Sequence, residues 1–192
     1  MDVPRTASGL YIPGQHTDDE DDFRSPDVKT VFAHFGLTYY HAEVLVHEIV
    51  NALVLARVHN AAEAEQRLQT DPWDKAFRDT MGNLVKRAGH HLQSGDPLIA
   101  DLERAVAHRN RLAHGFWREH AEEFMSDAGR ANMINRLCAM REHFERTDAE
   151  FAVKVTKPLM AKLGITQNMI QVAYNELADR ATGKHHSSDL AV

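Results

Sequence analysis

The sequence predicts an all-α fold: an antiparallel four-helix bundle, with a short extra helix near the C-terminus and an acidic tail ahead of the first helix. Three observations carry this expectation. Apolar residues recur at helical spacing in four long stretches between residues 27 and 160. Cap and breaker residues separate those stretches by short connections. No alternating run of β-branched and aromatic residues competes with them.

Each element follows from its own residues. Residues 1–26 are rich in Pro, Gly, Thr and Asp without periodicity and read as a flexible, disordered acidic tail. The first helix, over 27–60, has an inner face of Val31, Phe35, Ala42, Leu45, Val46, Ile49, Leu53 and Ala56. Ala33, Leu37, Tyr40, Val44 and Leu55 form a second apolar strip nearly opposite, which asks for a partner surface. The second helix starts at Asp71-Pro72 and ends near Gln93, with Trp73, Phe77, Met81, Leu84, Val85 and Ala88 inward. Asp96-Pro97 starts a third helix that runs to about 124. A fourth begins near Ser126 or Asp127 and carries Ile134, Leu137, Phe144, Phe151 and Val155. Lys157-Pro158 should kink or end it, and Gly164 should stop it. Thr166 to about Arg180 reads as a short fifth helix. The helical domain therefore spans 27–181, and 182–192 form a polar tail.

Composition narrows the function. With Cys138 alone, no intrachain disulfide and no cysteine-based metal cage is possible. Neither a secretory leader nor a membrane-spanning run is evident, so a soluble cytoplasmic protein with no membrane partner is expected. The net charge of −6 is unevenly placed. Residues 1–27 hold seven acids and two bases, a local −5, which leaves the rest of the chain near neutral and able to carry a basic cleft.

The third helix contains the unusual chemistry, in the stretch Ala107-His108-Arg109-Asn110-Arg111-Leu112-Ala113-His114. Leu98, Leu102, Ala105, Leu112 and Phe116 share one stripe, and Arg109 falls about 20° from Leu98 inside it at 100° per residue. A guanidinium there needs an anionic partner or an open cleft. Asn110 and His114 lie one turn apart on a neighbouring face, with Arg111 and Arg118 flanking the imidazole. Imidazole takes or gives a proton near neutral pH, while guanidinium and amide hold phosphate oxygens. That combination suits RNA cleavage by ribose 2′-OH attack, without a metal or other cofactor.

The Arg-Asn-x-x-x-His spacing of Arg109, Asn110 and His114 resembles the signature of the HEPN superfamily, small helical domains common among prokaryotic toxins and defence proteins. The motif there lies on the third main helix of a four-helix bundle, and the architectural likeness covers roughly 27–160. The resemblance implies a metal-independent endoribonuclease of toxin–antitoxin or phage-defence type. It also implies a homodimer whose two motifs meet in one composite site, and an antitoxin or defence-system partner protein. Arg109, Asn110 and His114 would be catalytic. Some members carry a Tyr two residues after the His as a target of nucleotide modification; Phe116 stands there, so that control is not expected. Other members have lost catalysis, and the alternative is a silent module that dimerises and binds nucleotides or partners. A second Arg-x-x-x-x-His spacing, Arg180 and His185, has Gly183 inside it near the C-terminus and is set aside.

Around the motif, Arg111, Trp117 and Arg118 are candidate substrate contacts, Trp117 by stacking on a base or, alternatively, as core. Arg141 and Asp148 interrupt the apolar seam of the fourth helix. They are expected to pair with each other or a neighbouring helix, or else Asp148 or Glu48 orients Arg109. His34, His41 and Glu48 repeat every seven residues, but no Glu-x-x-His or His-x-x-x-His pair accompanies them, and no metal site is expected. Cys138 lies in an apolar stretch as an inert thiol.

Overall fold

The computed structural model describes residues 27–60, 62–63 and 79–181, and every regular element among them is helical. In chain order these are α1 (Val28–Leu55), α2 (Met81–Gly89), α3 (Pro97–His114), α4 (Phe116–Glu119), α5 (Asp127–Phe151), α6 (Lys157–Lys162) and α7 (Gln167–Ala181). A 3₁₀ turn over Glu123–Met125 precedes α5, and a π turn over Ala152–Thr156 follows it. No helix among the described residues is long and apolar enough to cross a membrane. The Asp71-Pro72 cap, Trp73, Phe77, His185 and both tails lie outside the described residues.

Local chemistry accounts for the element ends. Asp27 accepts from Thr30 N at 2.6 Å, Thr80 caps α2 through Asn83 N, and Asp96 accepts from Leu98 N with Pro97 in the first turn of α3. Ser126 Oγ accepts from Gly129 N at 3.1 Å at the start of α5. The third helix is shorter than expected: Gly115 divides it, and α4 follows as a separate turn. Pro158 perturbs the chain one turn earlier than its own position. Its ring would strike the carbonyl four residues back, and the wider π turn over Ala152–Thr156 absorbs that conflict. Gly164, at φ +72°, closes α6, with Ile165 N donating to Met160 O at 2.9 Å.

Packing then sets directions. Arg109 meets Glu43, and the rings of Phe116 and Trp117 meet Phe35, so α3 runs antiparallel to α1. Asp101 meets His143 and Asp96 meets Lys154, so α3 is antiparallel to α5 as well. Consequently α1 and α5, the most extensively packed pair, run parallel, a correction to the expectation of antiparallel neighbours throughout. The link from α3 to α5 turns at the end where α1 begins, and there Phe124 packs against Phe32. Val31, Leu45, Ile49, Leu84, Leu98, Leu102, Phe116, Leu137, Phe144 and Phe151 are fully buried between these helices.

Among the described residues, two apolar surfaces lie outside the core. The second strip of α1 is open to solvent in the single chain at Leu37 and Tyr40, 41% and 62% exposed, and half-buried at Val44 and Leu55. Met169, Ile170, Val172 and Tyr174 of α7 are exposed too.

Candidate functional site

Arg109 lies on the inner stripe of α3, as its place on the helical wheel requires, and turns toward α1. Its Nε stands 3.7 Å from Glu43 Oε1, too far for a hydrogen bond. Both atoms are shielded from solvent and neither has a hydrogen-bond partner. Glu43 also lines a cleft of about 330 Å³ on the outer side of α1, shared with Tyr40, Val44, His47, Glu48 and Asp148. The Arg109–Glu43 contact thus borders the exposed strip of α1.

Asn110 and His114 are exposed, and neither has a hydrogen bond or ion pair among the described residues. Five residues of helix separate Arg109 from His114, which sets the two side chains about 140° apart around the axis. One chain therefore does not bring them into a shared cleft. Arg118 is exposed and unpaired among the described residues, whereas Arg111 Nε donates to Glu119 Oε2 at 2.5 Å. Trp117 is part of an aromatic cluster, with ring centroids 4.9 Å from Phe32 and Phe35 and 5.8 Å from Phe124. That packing accounts for Trp117 as a structural residue.

The expected supporting acids need correction. Neither Glu48 nor Asp148 meets Arg109; the nearby acid is Glu43. Arg141 and Asp148 do not pair with each other. Arg141 Nε lies 3.5 Å from Glu145 Oε1 on its own helix. Asp148 sits near Glu48, where burial first and the Glu48 charge second raise its pKa above the usual carboxylate range. Sequence periodicity does not reveal which side of α1 meets α3. Glu43 belongs to that side, with Tyr39, Val46 and Val50 one turn before and one and two turns after it. His34 and His41 have separate partners, Cys138 Sγ at 3.5 Å and Glu145 at 3.2 Å. Among the described residues no three His, Cys, Asp or Glu side chains gather as metal ligands.

A second polar cluster, which the sequence pattern did not single out, lies between α3 and α5. His143 is 4% exposed; its Nε2 donates to the Asp101 carbonyl at 3.0 Å and its Nδ1 accepts from Arg146 Nη2 at 3.0 Å. Those two bonds hold the imidazole neutral. His108 stands edge-on to it, ring centroids 5.3 Å apart. Burial, then the neighbouring His143 and the Arg104 and Arg111 charges, lower the His108 pKa. Burial dominates in lowering that of His143, with Arg146 and Arg104 adding to it against the opposing pull of Asp101.

A pH dependence follows. The unfolded chain regains imidazoles of ordinary pKa, 6.5, and so binds more protons than the folded chain below that pH. Stability from these two histidines is complete above about pH 7. It should fall as the pH drops through 6.5 toward the lowered folded values. Denaturant melts between pH 8 and pH 5 should show this decline, and His143→Gln should make it shallower. A midpoint that holds steady over that range would contradict the assignment.

No known protein family, curated protein or solved structure matches the chain.

Proposed function

We propose that this chain is a metal-independent endoribonuclease with a HEPN-like four-helix architecture, acting as a homodimer in a toxin–antitoxin or phage-defence setting. The observation that carries the reading is the state of Arg109. It is a guanidinium on an apolar stripe whose Nε has no hydrogen bond, followed on the same helix by the unpartnered Asn110 and His114. His114 takes the proton from a ribose 2′-OH. That oxygen attacks phosphorus, the bond to the 5′-oxygen breaks, and a second imidazole supplies the leaving oxygen with a proton. Arg109 and the Asn110 amide hold the phosphate oxygens as negative charge builds. The products are a 2′,3′-cyclic phosphate and a 5′-hydroxyl.

The wide angle between Arg109 and His114 on one helix supports a site completed by a second copy. The exposed α1 strip beside Glu43 is the surface on which two copies would meet. A two-fold dimer burying a standard interface of about 1,600 Å² should sediment as one species at micromolar concentration. Incubated with single-stranded RNA in EDTA, it should leave cyclic-phosphate ends, and it should leave DNA of the same sequence intact. A monomer under those conditions, or cut DNA, would remove the composite-site mechanism. The second reading, a silent dimerising module, draws on the same contact: Glu43 already supplies Arg109 with an opposite charge.

A further inference from the structure

We propose that the side-chain cluster at the seam of α3 and α5, around His108, is a second phosphate site that holds a phosphodiester of the RNA strand away from the reacting one. The inference rests on the ribonuclease reading and adds residues to it.

The seam gathers cations that acids on the same faces only partly offset. Arg104 is 61% exposed, and its nearest carboxylate, Asp101, is 4.0 Å away. Arg146 is exposed and is held by its bond to His143 Nδ1, one turn earlier on the same helix. That partner is a neutral imidazole, so the bond orients the guanidinium without cancelling its charge. Glu142, one turn before Arg146, makes no ion pair with it among the described residues. Arg111, on the same side of α3, is already matched by Glu119. Arg104 acts on both imidazoles, which places its charge close to each ring.

His108 is the adjustable member. It is half-buried, held by ring contacts to His143 and to Phe144 at 6.2 Å, and its nitrogens have no hydrogen bond among the described residues. Burial chiefly keeps His108 neutral, with the Arg104 and Arg111 charges adding to it, and an anion seated between Arg104 and Arg146 would bring a negative charge that opposes both. A protonated His108 would then donate to the phosphate, so binding and proton uptake favour each other. Six residues of α3, about 9 Å along the axis, separate His108 from His114. Arg118, exposed and without an ion pair among the described residues, adds positive charge toward that end.

The test uses the full chain and a fully 2′-O-methylated RNA 12-mer, which has no nucleophile. Its binding is followed by fluorescence anisotropy against salt at pH 6 and pH 8. Wild-type protein should bind more tightly at pH 6. Arg104→Gln with Arg146→Gln should weaken binding about tenfold and reduce the salt slope by about 1.4, the loss expected for two single-strand phosphate contacts. His108→Gln should flatten the pH dependence. Because His108 is half-buried, the exposed Arg104→Glu gives an independent check on folding effects, and it should weaken binding further than Arg104→Gln. If wild-type protein cleaves RNA but the variants keep wild-type affinity, slope and pH profile, the second site is wrong and the ribonuclease reading stands. If wild-type protein neither binds nor cleaves RNA, both fall.

Discussion

His114→Ala is expected to lower RNA cleavage by about 10²–10⁴-fold, the range over which a positioned acid–base group contributes. The same substitution should leave the fold nearly untouched. His114 is exposed and without a hydrogen bond or ion pair among the described residues, so the stability change should stay within about 0.5 kcal/mol. That separation makes the experiment decisive, because lost activity cannot be blamed on unfolding. Arg109→Ala should also abolish cleavage, but with a cost in stability. It removes the guanidinium beside Glu43, whose Oε1 is already shielded from water without a hydrogen bond. Single-turnover cleavage of a labelled RNA, run beside thermal melts of both variants, reads the two effects independently. Wild-type cleavage by His114→Ala would end the catalytic reading and leave the silent dimerising module in its place.

Gly129→Ala is expected to destabilise the protein by about 3 kcal/mol, the upper end of the usual cost of overpacking. Gly129 is buried in the first turn of α5. A Cβ there would lie 2.0 Å from the Glu123 carbonyl oxygen and 2.6 Å from its carbon. Backbone rather than a flexible side chain receives the clash, and that backbone is held on several sides. Glu123 bonds both His120 and Arg136, and the Phe124 carbonyl accepts from Arg130 Nη1 at 2.9 Å. Displacing the segment would also disturb Phe124 against Trp117, and through it the end of α3 beyond the motif. For a chain of this size the midpoint should drop by about 6–12 °C. Gly36→Ala supplies the contrast. Its Cβ would meet nothing within 4 Å in the middle of α1, so the single chain should gain about 0.5–1 kcal/mol. Equal midpoints for the two variants would show that the close approach at Gly129 is not a constraint.

Much of the helical framework was legible in the residues. The inner face of α1, the Asp96-Pro97 start of α3, the stop at Gly164 and the buried residues of α5 all follow from helical periodicity and local caps. These are properties of a few neighbouring residues. The sequence by itself also determined that Arg109 would stand among Leu102, Ala105 and Leu112, because angular position along one helix depends only on residue spacing. The identity of its acid partner came from tertiary structure. Glu43 is 66 positions away in the chain, and it reaches Arg109 only because α1 and α3 pack with one rotation and one axial register. The same two variables exclude Glu48 and Asp148 and bring His108 to His143. They also make Gly129 a close approach while leaving Gly36 open. Periodicity gives each helix an apolar side but does not specify which polar residue at the edge of that side will face which neighbour. That choice was made when the core side chains interlocked.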